Sequence, residues 1–240
     1  MAGLTEPSSD EPHAHGGLAG RLNRLRAAVL GANDGIVSVA AIAVGVAGAT
    51  SSTRTILTAG LAALVGGGIS MALGEYVSVS SQRDTERALI AQEQAELQAD
   101  PVQELTELTD LYRARGLSSE TARKVAEELT QHDVLGAHLE AELGIDATDV
   151  VSPWHAAGAS ALAFTIGGLL PLLTVVLIPA PAKVPLTFAI VLLALALTGA
   201  AGARLGGSPA GRASLRVVVG GALALATTFG IGSLLGAPAG

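Results

Sequence analysis

The chain has 240 residues, half of them hydrophobic and 15% charged, with a formal net charge of −7 and a mean hydropathy of +0.51. Only six residues are aromatic (three Phe, two Tyr, one Trp). That composition argues against a soluble domain, where rings supply much of the buried surface and roughly 25% of residues are charged. With no cysteine, disulfides, thiolate zinc sites and cysteine nucleophiles are excluded.

Residues 1–26 read as a disordered tail, polar and acidic at first, without the positive-then-apolar order of a signal peptide. His13 and His15 lie in it, and two histidines in such a tail are more often incidental than ligands. Residues 27–80 hold two apolar runs, Ala27–Thr50 and Ile56–Ser80, each long enough to cross a bilayer as a helix of about 20 residues. Residues 81–152 form an acidic insert. Residues 153–240 hold three further runs, Trp154–Ile178, Val184–Ala203 and Val217–Leu235, and a short C-terminal tail. The expected fold is therefore an all-α membrane protein, with five transmembrane helices and a helical insert between the second and third.

Sixteen of the 21 acidic residues fall between Gln82 and Ser152, giving that segment a net charge of −10. Only Asp34 and Glu75 lie inside apolar runs, and none follows Asp149. The positive residues are equally uneven. With five spans, twelve of the 14 Lys and Arg residues share one side, and only Arg54 and Lys183 lie on the other. The positive-inside rule then places the N-terminus and the insert in the cytoplasm. The expected location is the inner cell membrane.

An ionisable residue inside a span is a functional hypothesis by default. Asp34 sits in Gly31-Ala32-Asn33-Asp34-Gly35. Two structural alternatives compete: an Asn-Asp-Gly turn, or a cap for a helix beginning at Ile36. Glu75 follows Met71 by four residues, so thioether and carboxylate share a helix face. That mixed donor pair suits Mn²⁺ or Fe²⁺, although methionine is more commonly core filler. Close approach at the glycines of this run would let Asp34, Met71 and Glu75 surround one cavity.

The insert reads as helices. The second span continues as a polar helix through Gln82–Ala99. Asp100 caps a second helix with Pro101 in its first position, running to about Arg115 and stopping at Gly116. Ser118 and Ser119 cap a third, Glu120–Gln131, and a last stretch, Val134–Leu143, stops at Gly144. Glu93/Glu96 and Glu104/Glu107 are i, i+3 pairs, each placing two carboxylates on one helix face. Two such helices together offer four oxygen ligands to a divalent ion. Solvated acidic faces look the same in sequence.

Asn33-Asp34-Gly35-Ile36-Val37-Ser38 resembles the first-span motif of the vacuolar iron transporter family, which includes the yeast calcium-sensitivity-complementing homologues. Gly68-Ile69-Ser70-Met71-Ala72-Leu73-Gly74-Glu75-Tyr76-Val77-Ser78, followed by Ser81-Gln82-Arg83-Asp84, resembles its second-span signature. Tyr112–Ser118 and Glu142-Leu143-Gly144-Ile145 match its cytosolic domain, and the likeness runs from about Leu25 to Gly232. The resemblance implies five membrane helices, a homodimer, and export of Fe²⁺ or Mn²⁺ from the cytosol in exchange for protons. It also implies a transport path at Asp34, Met71 and Glu75, and metal collection at Glu93, Glu96, Glu104, Glu107 and Glu142. Where several members place a methionine pair shortly before the last glutamate, this chain has His138-Leu139. His138 can still ligate, whereas Leu139 cannot, which leaves iron against manganese open.

Other classes fit less well. A di-iron bundle needs Glu-x-x-His on two helices, and no glutamate stands three residues before His132, His138 or His155. No phosphate loop or nucleophile elbow is present, so neither ATP-driven pumping nor an enzyme is expected. Nothing points to nucleic acid or to a bound cofactor besides the transported ion. The competing reading is a non-transporting membrane receptor that senses metal through its insert.

Overall fold

The computed structural model describes residues 18–145 and 152–236, so His13 and His15 lie outside the described residues. Seven α-helices follow in order: α1 Leu18–Ala49, α2 Thr53–Ala99, α3 Pro101–Ala114, α4 Ser119–His138, α5 Pro153–Leu177, α6 Ala180–Leu205 and α7 Ala210–Gly236. A π-helical turn, Leu139–Leu143, extends α4. No strand occurs among the described residues. Among the described residues, five helices are long and apolar enough to cross a membrane: α1, α2, α5, α6 and α7.

Helix α2 has 47 residues. At 1.5 Å per residue it is about 70 Å long, more than twice the hydrocarbon thickness of about 30 Å. Its apolar part ends near Ser80, short of the polar stretch that carries Glu93 and Glu96.

Chain contacts separate two compact units, one containing Ser78–Val151 and the other Arg21–Val77 with Ser152–Gly240. In the second, helices meet through glycine. A methyl on Gly35 of α1 would fall on the Phe164 carbonyl oxygen of α5, and one on Gly167 would fall on the Ala32 carbonyl oxygen. At the other end of α1, a methyl on Gly232 of α7 would meet the Gly45 carbonyl oxygen. With few rings to bury, close backbone approach replaces bulk, as in membrane helix packing generally. Ile36, Ala40, Val44, Val191, Leu195 and Leu225 form one buried cluster, and Val39, Leu64, Phe164 and Leu172 another.

The other unit has its own core of Leu108, Ala126, Ala137 and Ala141. The Asp100 carboxylate accepts from Gln103 N at 3.0 Å, and Ser118 Oγ accepts from Thr121 N at 3.2 Å, so both expected N-caps form. Gly116 and Gly144 take positive φ at the expected stops. Between the last two predicted helices, the break is a kink at Asp133 (φ −158°, ψ 89°). There the Asp133 carboxylate restarts the helix by accepting from Gly136 N at 3.0 Å.

Two local readings of the sequence change in the structure. Asn33-Asp34-Gly35 is neither a turn nor the cap of a helix starting at Ile36, because α1 runs unbroken through it. An interrupted backbone in apolar surroundings leaves polar groups unpaired at several kcal/mol each, and Gly35 serves packing instead. Helix α1 extends back to Leu18, and its membrane-length apolar part, Arg26–Ala49, agrees with the expected first span. The end of the insert is π-helical over Leu139–Leu143, not α-helical.

Candidate functional site

Glu93 of α2, Glu104 of α3 and His138 at the end of α4 converge in the Ser78–Val151 unit, with one donor atom from each lying within 4.8 Å of the others. The residues are 3%, 6% and 1% exposed. Glu104 and Leu108 are the buried residues of α3, one turn apart on the face that meets the core. Small residues on α4, Ala126 and Ala137, let that face approach.

His138 Nδ1 lies 2.9 Å from Glu93 Oε1 and 3.7 Å from Glu104 Oε2. Despite the first distance, neither His138 Nδ1 nor Glu93 Oε1 has a hydrogen-bond partner among the described residues. Two buried lone-pair donors converging in this way are unfavourable by themselves, whereas a cation between them would be coordinated by both. Two carboxylates and an imidazole suit a borderline divalent ion.

Electrostatics agrees with the geometry. Burial, and after it Glu142, Glu104, Glu96 and Glu107, push the Glu93 carboxyl up to about 7. Glu104 is also raised, burial being the first cause, and so is Glu142, whose carboxyl is partly desolvated and faces Glu107 and Glu96 although the residue is exposed overall. Burial lowers His138, against an opposing pull from Glu107. At neutral pH the imidazole is therefore held in its neutral, ligating form.

The six residues expected in the insert are not equivalent. Glu93, Glu104 and His138 are buried together, while Glu96, Glu107 and Glu142 are exposed. Glu96 instead accepts from Gln92 Nε2 at 3.0 Å. Each i, i+3 pair thus has one inward and one outward member. His138 and Glu142, four residues apart across the π-turn, are also divided, one buried and the other exposed. Arg115 holds that turn, its Nη2 donating to the Ala141 carbonyl at 2.6 Å.

In the other unit, Asp34 is half-buried and accepts from Ser38 Oγ at 2.7 Å. Its neighbour Asn33 accepts from Thr198 Oγ1 of α6 at 2.5 Å. Glu75, 14% exposed in its side chain, lies 4.0 Å from Arg26. The next residue, Tyr76, packs against Trp154 with ring centroids 4.6 Å apart. Met71 packs against the cluster containing Phe164, the ordinary use of methionine. Sequence reading did not assign roles to Ser38, Arg26, Thr198 and Arg115. Only Ser38 left a local signal, at i+4 from Asp34 on one helix face.

A family model described as the VIT family matches residues 25–233. The chain belongs to this family. It is 43% identical over 221 residues to a vacuolar iron transporter of Acanthamoeba castellanii, covering 92% of this chain and 82% of that protein. It is 39% identical over 217 residues to vacuolar iron transporter homolog 1 of Oryza sativa subsp. japonica, covering 90% of this chain and 75% of that protein. With vacuolar iron transporter homolog 3 of Arabidopsis thaliana it shares 36% identity over 217 residues, covering 90% and 85%. For a VIT-family chain, the buried Glu93–Glu104–His138 group is the candidate metal-collecting centre, and Asp34, Met71 and Glu75 are candidate path residues.

Proposed function

We propose that this VIT-family protein is a transporter rather than an enzyme, exporting Fe²⁺, Mn²⁺ or both from the cytosol in exchange for protons. The observation that carries the reading is the burial of Glu93, Glu104 and His138 around one point, in a chain related to named iron transporters. The insert, residues 81–152, faces the cytosol in this reading, on the strength of the Lys and Arg distribution. We assign the chain to the cell membrane on composition alone, whereas its relatives are named for the vacuole. The cytosolic side of the proposal is the same in either membrane.

The insert's charge of −10 raises the local concentration of divalent cations. Glu93, Glu104 and His138 then bind the ion, with Glu96, Glu107 and Glu142 as the outer carboxylates. Ligand groups must be deprotonated, so a Glu93 carboxyl titrating near 7 exchanges a proton for metal close to neutral pH. Along the spans, Asp34 and Glu75 provide two carboxylates, with Met71 beside Glu75 on the same helix. A carboxylate holds either a proton or part of a metal ion, and this competition is the physical basis of antiport. Homodimer formation is proposed from the family resemblance.

The test is metal uptake into proteoliposomes under an imposed pH gradient, with Fe²⁺ and Mn²⁺ in parallel. Asp34→Asn and Glu75→Gln are expected to abolish flux while retaining metal binding at the insert. Wild-type flux in both variants would overturn the path. Metal binding without flux in the wild type would favour a sensor.

A further inference from the structure

Lys183 is the anomaly of the apolar unit. It sits in the first turn of α6, is only 6% exposed, and has no carboxylate within ion-pair distance among the described residues. The only acidic side chains of that unit are Asp34 and Glu75, and these are engaged by Ser38 and Arg26. One of its three N–H donors goes to Thr53 Oγ1 at 2.6 Å. No other protein acceptor is seen for it among the described residues. Burying an ammonium without a counter-charge is costly.

The same residue lines a cavity of about 270 Å³, together with Ala47, Gly48, Thr50, Ser51 and Val184. Three features give the cavity a chemical sign. The ammonium is its only ionisable lining group. Lys183 and Val184 line it from the first turns of α6, where the helix dipole is positive and favours an anion. The Thr50 and Ser51 hydroxyls add neutral donors. The end of α1, Ala47–Ala49, lines the cavity too, but a cation lodged there would face the ammonium.

We propose that this cavity binds an oxyanion, a phosphate group carried either by a lipid headgroup or by free phosphate, with Lys183 as its charge partner. The site is independent of the metal-transport reading, since none of its residues belongs to the proposed path. It would supply the counter-charge that the chain lacks at this end of α6.

The experiment is a thermal-unfolding titration of full-length protein in zwitterionic detergent, with chelator present to keep divalent metal out. The probes are inorganic phosphate, phosphatidylglycerol and, as control, phosphatidylcholine. Saturable stabilisation of about 2–4 °C is expected in wild type and in Lys183→Arg, and none in Lys183→Met. Stabilisation by inorganic phosphate would identify a free-oxyanion site, and stabilisation by phosphatidylglycerol alone a lipid-headgroup site. If neither probe acts on wild type, the proposal is overturned whether or not Lys183→Met folds. It is also overturned if folded Lys183→Met responds as wild type does. Thr53→Val, which removes only the neutral acceptor, should keep the response.

Discussion

The Nδ1 of His138 and the Oε1 of Glu93 stand 2.9 Å apart without a hydrogen bond joining them. Removing the charge of Glu93 should therefore act in opposite directions with and without metal. Glu93→Gln is expected to stabilise the metal-free protein near pH 8 by relieving carboxylate repulsion. It should weaken Mn²⁺ binding at least tenfold, about 1.4 kcal/mol. Isothermal titration of full-length protein reads the second effect and thermal unfolding the first. Glu96→Gln, at an exposed position, should change affinity several-fold less. Equal losses in the two variants would sink the inward/outward distinction.

The raised carboxyls set the pH dependence. Glu93 moves from 4.5 to about 7, so between those values the folded state binds more protons than the unfolded state. Stability consequently falls as pH rises through that window, by about 3 kcal/mol from this group. Glu104 and Glu142, also raised, act in the same sense. His138, lowered, opposes them: its contribution grows with pH up to the ordinary histidine value of 6.5. Metal-free protein should thus lose melting temperature between pH 6.5 and 8, where the histidine no longer compensates. Saturating Mn²⁺ should reverse the slope. A rising metal-free profile across that range would contradict the assignment.

Packing at the α1–α5 crossing gives a third expectation. Gly35→Ala places a methyl on the Phe164 carbonyl and should cost about 1–3 kcal/mol. Gly74→Ala meets nothing within 4 Å and should be neutral or stabilising, because alanine favours helix by about 1 kcal/mol. Thermal unfolding in detergent compares the two. Similar melting temperatures would refute the close contact.

Ser38 supplies the fourth. Its hydroxyl donates to Asp34 at 2.7 Å, a bond to a charged acceptor worth about 1.5 kcal/mol or more. If Asp34 acts ionised in the path, Ser38→Ala should slow flux about tenfold, and Ser38→Thr should restore it. Unchanged proteoliposome rates in Ser38→Ala would remove serine from the mechanism.

The spans were legible because length and hydropathy are local properties, and the Asp100, Ser118, Gly116 and Gly144 signals are local too. Which glutamate of each pair turns inward was not legible. Spacing puts Glu104 and Glu107 near one another on α3, but Leu108 and the small residues of α4 decide which side meets the core. The π-turn at Leu139–Leu143 was equally hidden, since it depends on Arg115 reaching the Ala141 carbonyl across 26 residues. At Asn33-Asp34-Gly35 the turn alternative does not form, because the demand of an apolar setting for continuous hydrogen bonding outweighs turn propensity.

The contacts of α1 with α5 and α7 run from main chain to main chain, at Gly35, Gly167 and Gly232. At those three points the seam has no rotamers to change and no side chain to fold aside, while Val39 against Phe164 and Ile36 against Leu225 fill the space between them. There it can travel as one block or separate altogether, but it cannot loosen by degrees. Any opening that admits an ion therefore has to arise at boundaries built from side chains, and mutations that enlarge residues along this seam will act on assembly before they act on transport.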